Sequence, residues 1–315
     1  MHVAIIGGAG TIGTTVAYTL ATAQQDIDIT LVDPATDPAR GHAIDLSHGR
    51  TASQLPGLAT ERLPEGHIRA RPSGPDALAD VDCAIVTASI SPPDGTAERG
   101  ARIRYLEKNR DLADSIADSL SAHDPIPVVV ASNPVDLITH RIWESTGWDR
   151  HNFVGYSLSE TARAADELAR IFDCRPNDVY CPTLGEHGEY VVPVFSRLSI
   201  VGERVEISEA QKEQVLEYVR NVPYEVIEYR GEQDSSRWVT GQGVGRLVLT
   251  LIGGGSSEPL GLSVPLEGEY GCEDVCLSVP VRLGESGWEE IVEWEIADEE
   301  FERLQQAAAS VASDL

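Results

Sequence analysis

The chain has 315 residues, with 51 acidic side chains against 24 basic ones, a net charge of −27 and an isoelectric point near 4.5. A surface of that sign repels nucleic acid and anionic lipid, so neither is expected as a partner. No apolar run reaches the roughly 18 residues of a membrane-spanning helix, and the first residues enter a strand without a basic region or cleavage site, so no secretory signal is expected.

Only two of the basic residues are lysines, Lys108 and Lys212, the other 22 being arginine. The acids are spread along the chain, so they are expected to coat a folded surface. Such a surface repels itself unless salt screens it, the Debye length falling to about 3 Å at 1 M. Cys83, Cys174, Cys181, Cys272 and Cys276 are an odd number without a CxxC pair. They point to free thiols in a reducing cytoplasm. No histidine neighbours Cys272 and Cys276 to complete a ligand set, so no metal is expected.

Taken in order, the chain opens with an apolar run, Val3-Ala4-Ile5-Ile6, and turns through Gly8-Ala9-Gly10-Thr11-Ile12-Gly13. A helical pattern follows, then a second run, Ile27 to Val32, that ends on Asp33. Strand, glycine turn, helix, strand and acid is the arrangement that binds a dinucleotide. Gly8 is expected to permit the tight turn, Gly10 the approach of a pyrophosphate, and Gly13 close helix–strand packing. The helix points free N–H groups and its positive dipole end at the phosphates. Asp33 stands where an acid accepts the hydrogen bonds of a ribose diol and repels a ribose phosphate, which favours NAD over NADP.

Strand–helix alternation continues. A short helix is expected over 35–47, a strand around Ile68, a buried strand over 81–87, and a loop over 91–100 punctuated by Pro92, Pro93, Gly95 and Gly100. A helix then runs to about Ala122, and Pro127 to Ala131 forms a central strand ending at Ser132-Asn133-Pro134. Repeated units of this kind imply a doubly wound parallel sheet with ligands at the carboxyl ends of its strands.

Near Trp148 the texture changes. A helix is expected over 160–172, strands over 190–195 and 199–205, and a capping box at Ser208 to Gln211 opening a helix that Pro223 should kink or break. Another helix, 244–252, stops at Gly253-Gly254-Gly255. Strands over 260–266, 275–281 and 291–295 lead to a last helix over 298–312. This half reads as α+β, without a glycine fingerprint.

Seven stretches together carry a family resemblance: the glycine turn, Leu31-Val32-Asp33, Thr87-Ala88, Leu106-Glu107-Lys108-Asn109, Ser132-Asn133-Pro134-Val135-Asp136, Thr161-Ala162-Arg163 and Leu184-Gly185-Glu186-His187-Gly188. The chain resembles the malate and L-lactate dehydrogenases over essentially its whole length. The resemblance implies that His187 exchanges the proton of the substrate hydroxyl, a role suited to an imidazole that titrates near neutrality. It implies that Glu160, where the family has aspartate, is the carboxylate partner of His187. One added methylene moves that carboxylate by over an ångström, so either the helix is repositioned or the pairing is imperfect. Arg163 matches the arginine that grips the substrate carboxylate, through a planar fork that lysine cannot reproduce. Asn133 matches a residue that hydrogen-bonds substrate and the nicotinamide region.

The segment 91–102 corresponds to the mobile loop that closes over substrate and expels water. Arg102 falls where the family has the arginine that polarises the reacting carbonyl. The loop is about four residues longer than usual, has Ser89 after Thr87-Ala88 in place of glycine, and lacks the Ile-Pro-Arg text that carries a second substrate arginine in malate enzymes. Arg99 could supply that charge. Cofactor contacts are implied for Gly8, Gly10, Thr11, Ile12, Gly13, Asp33, Thr87, Ala88, Asn109 and Asn133.

The expectation is therefore an α/β chain, a doubly wound parallel-sheet Rossmann domain over residues 1–148 followed by a mixed α+β substrate domain over 149–315. It is expected to be a cytoplasmic, NAD-dependent 2-hydroxy acid dehydrogenase of the tricarboxylic acid cycle type, acting on malate and oxaloacetate and assembled as a homodimer or tetramer. Lactate is the alternative substrate. A non-catalytic NAD-binding paralogue is an alternative of another class, and a metal-dependent glycosidase is disfavoured for want of a ligand set. Acid excess with lysine scarcity resembles proteins of salt-accumulating archaea.

Overall fold

The computed structural model describes residues 1–59, 62–90, 102–230 and 236–315. Its first half alternates strands and helices: β1 (His2–Ile6), α1 (Thr11–Ala21), β2 (Asp28–Val32), α2 (Thr36–Ser53), β3 (Ile68–Arg71), β4 (Cys83–Val86), α3 (Arg102–Ser121), β5 (Val128–Val130), α4 (Val135–Thr146) and β6 (Phe153–Gly155). The strands pair in parallel in the order β3-β2-β1-β4-β5-β6, with Val3 opposite Ile29 on one side and Cys83 on the other. Apart from the edge strand β3, which alternates with Arg69 and Arg71, their sequences are mostly apolar, as in sheets covered by helices on both faces. Val3, Ala4, Ile5, Ile85 and Val128 to Val130 are fully buried.

The second half contributes α5 (Leu158–Phe172), β7 (Val179–Tyr180), β8 (Thr183–Gly185), β9 (Val191–Pro193), β10 (Ser199–Ile200), β11 (Glu203–Arg204), α6 (Glu209–Arg230), α7 (Arg237–Ile252), β12 (Leu260–Glu267), β13 (Glu273–Gly284), β14 (Gly287–Ile291) and α8 (Asp298–Ala312). Four of its strands extend the same sheet as β12-β13-β8-β9, now antiparallel, with β14 beside β13. The passage from one half to the other is narrow, a single register pair of Ser263 on β12 with Gly155 on β6. A Cβ at Gly155 would press on Ser263 and on Thr139 of α4, so the sheet closes there only without one. A smaller core of Ala164, Leu168, Val191, Phe195, Val215 and Val219 holds α5, β9 and α6 together.

Several expectations need correction. The last strand lies over 287–291, not 291–295, because the turn at Gly284–Gly287 folds the chain back on β13 earlier than the apolar pattern suggested. α6 continues past Pro223 without a break. Proline removes one donor from a long helix, and Val215 and Val219 anchor the turns before it. The helix expected to begin at Val244 begins at Arg237. Glycine lowers its intrinsic helicity, but Gly241 and Gly245 lie against Thr15 and Thr19 of α1, where any Cβ would collide, so packing overrides propensity. Among the described residues no helix is long and apolar enough to cross a membrane.

Candidate active site

The nucleotide end of the site is built by the β1–α1 turn. The left-handed residue of this turn is Gly7 (φ +87°), not Gly8; a Cβ at Gly7 would strike the backbone of Ala88, whereas Gly8 is pressed against Leu31. Gly13 faces the Gly7 carbonyl so closely that a side chain would drive α1 off β1. Thr87 Oγ donates to the carbonyls of Ile6 (3.0 Å) and Gly7 (3.2 Å), tying the end of β4 to the turn. Gly10 caps α1, and the first helical turn contains Thr11, Ile12 and Gly13, whose position at a helix start gives the turn backbone N–H groups not used by the helical ladder. Asp33, at the end of β2, accepts from Ala9 N (3.0 Å) with one oxygen and from Ala35 N (2.9 Å) with the other. Each carboxylate oxygen retains a lone pair for a hydroxyl. Backbone donors at a helix start beside an acid at the next strand end fit a dinucleotide diphosphate and its ribose diol.

The chemical end is assembled from distant stretches. His187 follows β8 in a turn bracketed by Gly185 (φ +85°) and Gly188 (φ +153°), a path that side chains at those two positions would strain. Its Nδ1 lies 2.9 Å from Glu160 Oε2, and Glu160 Oε1 accepts from Arg163 Nη1 at 2.9 Å. The added methylene of Glu160 therefore does not separate the acid from the imidazole, and the carboxylate spans both cations. Glu160 and Arg163 lie one turn apart on α5, which places them on one face. Burial alone would raise the Glu160 carboxyl, but the His187 charge and hydrogen bond and the Arg163 guanidinium hold it below its ordinary value. Burial would lower His187, yet the charge and hydrogen bond of Glu160, with help from Asp136, raise it above the usual imidazole value.

Two residues at this end were not singled out as site residues by sequence reasoning. Ser236, at the start of α7, lies 3.4 Å from Arg163 Nη2. Asp136, on the first turn of α4, accepts from the His187 backbone N–H at 2.9 Å and from Ser263 Oγ at 2.6 Å. The available signals were a serine heading a helix and an acid three residues after Asn133. Asn133 itself is exposed at the carboxyl end of β5. Ala88 borders the glycine turn through its contact with Gly7. Asn109 is buried and spends its amide on Ile90, accepting from its N (2.7 Å) and donating to its O (3.1 Å), so it props the segment after β4. Arg102 opens α3, while Arg99 lies outside the described residues.

Comparisons with known proteins agree across the whole chain. Residues 1–155 match the family model of the lactate/malate dehydrogenase NAD binding domain, and residues 160–315 that of the lactate/malate dehydrogenase alpha/beta C-terminal domain. A malate dehydrogenase of Haloarcula marismortui is 32% identical over 98% of this chain and 97% of its own. An L-lactate dehydrogenase of Salinibacter ruber is 31% identical over 97% and 94%. The solved malate dehydrogenase of Aeropyrum pernix superposes with a TM-score of 0.86 at 26% identity, covering 100% of this chain and 97% of that one. That of Archaeoglobus fulgidus, solved with NADH, gives 0.83 at 26% identity over 100% and 98%. The chain belongs to the lactate/malate dehydrogenase family.

Proposed function

We propose that this chain is an NAD-dependent malate dehydrogenase that interconverts malate and oxaloacetate. The observation that carries the reading is the contiguous set His187–Glu160–Arg163 in the second half of a chain whose first half is built to hold a dinucleotide. Bound NADH supplies the hydride that reduces the carbonyl carbon, and NAD accepts it in reverse. His187 Nδ1 is committed to Glu160, so Nε2 is the nitrogen that delivers a proton to the nascent alkoxide, or removes one from the malate hydroxyl. Glu160 stabilises the imidazolium that reduction requires. Arg163 takes the substrate α-carboxylate through its fork, with Ser236 beside it.

In this reading Arg102 polarises the carbonyl, Arg99 neutralises the distal carboxylate of oxaloacetate, and Asn133 orients substrate against the nicotinamide. Thr87 and Ala88 border the cofactor at the carboxyl end of β4, and Asp33 selects NAD over NADP. The chain divides near residue 148 into a cofactor half and a substrate half, works in the cytoplasm at high salt, and assembles as a homo-oligomer. Relatives at similar identity carry the name L-lactate dehydrogenase, so lactate and pyruvate are the second reading. Steady-state assays with oxaloacetate and pyruvate in molar KCl separate the two. A higher kcat/KM with pyruvate would overturn the malate assignment, and NADH binding without turnover of either would support a non-catalytic role.

A further inference from the structure

Asp136 is one of the most deeply buried carboxylates in the molecule, 3% exposed. It makes no ion pair with an arginine or lysine among the described residues; its partners are the His187 backbone N–H and the Ser263 hydroxyl. A buried ionised carboxylate without a cation is costly to keep, and burial with the nearby Glu186 charge pushes its pKa up to about 6. Its position is equally specific. It sits on the first turn of α4, directly beneath the end of β5, at the seam where Ser263 of β12 meets β6. Through Oδ2 it reaches the turn between β8 and β9, in which Glu186 accepts from Tyr190 N at 3.0 Å. Two backbone donors of the His187 turn are thus held by carboxylates, His187 N by Asp136 and Tyr190 N by Glu186.

We propose that Asp136 is a positioning residue for His187, fixing the backbone of the turn that presents the imidazole and placing a second negative charge behind the ring. Glu160 acts on the ring through Nδ1, whereas Asp136 acts on the main chain of the same residue, so the two divide orientation between ring and backbone. The groups that face Asp136 are Ser263, His187 and Glu186, with the Cys276 thiol behind it, itself pushed well up by burial and by this charge. Glu160 and Arg163 lie beyond the imidazole. None of them neutralises Asp136 as a lysine or arginine would, so its charge is felt by the imidazole.

The inference rests on the reading of His187 as the acid–base group, and its test has a readout independent of turnover. The His187 imidazole is followed by NMR titration in wild type, Asp136→Asn and Ser263→Ala at constant high salt, with NADH affinity measured by fluorescence. Asp136→Asn should lower the His187 pKa by about half a unit or more, cut kcat/KM for oxaloacetate about tenfold, and leave NADH affinity unchanged. Ser263→Ala keeps the carboxylate but removes a donor to its ionised form, and should move His187 the same way by less. An unmoved His187 titration in Asp136→Asn, or in Ser263→Ala should the first variant not fold, overturns the proposal even if oxaloacetate is turned over. A shifted titration in a protein that reduces no keto acid supports Asp136 while removing the dehydrogenase reading.

Discussion

The two ends of the site are made differently. The candidate nucleotide end is local, since Gly7 to Gly13, Asp33 and Thr87 follow the carboxyl ends of three neighbouring parallel strands, and most of the groups it would offer a ligand are backbone N–H. The chemical end joins α4, α5, the β8–β9 turn, α7 and β12, and all its groups but one are side chains. A local site is specified by backbone geometry, which here depends on the missing side chains of Gly7, Gly8 and Gly13. A distributed site depends on each side chain reaching another element, so single substitutions there act on chemistry more than on cofactor affinity.

The largest effect expected from this division is at His187. His187→Asn should lower kcat/KM for oxaloacetate by about 10³-fold, the scale of a lost general acid, while fluorescence titration finds NADH affinity intact. Joint loss of both would erase the distinction between the two ends. Arg99→Gln sharpens it further: if Arg99 meets the distal carboxylate as proposed, oxaloacetate reduction should fall about 30-fold or more, the cost of leaving one partner of a charge pair unpaired, with pyruvate reduction level or improved. An unchanged ratio of the two substrates would mean that the distal charge is met elsewhere. At the other end, Asp33→Ser should narrow the NADH-over-NADPH preference by about tenfold, or 1.4 kcal/mol, with little change in the kcat for NADH. A wild-type preference for NADPH would remove the role of Asp33 altogether.

A smaller effect concerns stability. Glu160 is held below its ordinary pKa, so its contribution is present above the unfolded carboxyl value and is lost as pH falls through the folded one. His187 is raised, so its contribution is present below the unfolded imidazole value and is lost as pH rises through the folded one. Both contributions coexist between about pH 4.5 and 6.5. Glu160→Gln should therefore cost about 1–3 kcal/mol in that window and less at pH 9, as melting curves at the two pH values would register; an equal deficit at both would refute the charge pairing. Smallest per residue, and spread over both ends, is screening. Melting temperature should rise from dilute buffer to molar KCl, and a flat curve would remove the halophilic reading.

Legibility followed the same division. The glycine turn, Asp33 and the helix–strand order as far as β5 are contiguous patterns that could be read from the chain in order, apart from assigning the tight turn to Gly8 instead of Gly7, whereas α4 and the three-residue strand β6 were not anticipated. In the second half the helices and most strands were found, but not the short strands β7 and β8, and not the assembly of the elements. Nothing in the local text of 260–266 says that Ser263 meets Gly155, or that Asp136 lies under His187, because those contacts span more than 100 and about 50 positions. Glu160 was legible as a departure from the family aspartate. Its simultaneous hold on His187 and Arg163 was not, because that depends on where the β8–β9 turn lies in space. The first turns of α7 were missed for a related reason. Their glycines look like helix breakers until the helix they touch is known.

Those glycines act as a spacer. α1 begins at the glycine turn proposed to hold the cofactor phosphates and α7 begins at Ser236 beside Arg163, and the two run side by side with Gly241 on Thr15 and Gly245 on Thr19. On the proposed dehydrogenase reading, the absent methyl groups set the gauge between the part of the molecule that would carry the hydride donor and the part that would carry the keto acid. A single methyl at Gly241 would then wedge the two reactants apart as well as collide with Thr15. Hydride transfer is steep in distance, and a misplacement of about 1 Å can cost on the order of 100-fold in rate. This pair of positions thus holds a tolerance for the reaction more than 70 residues from Arg163 in sequence, using residues whose contribution is the atoms they lack.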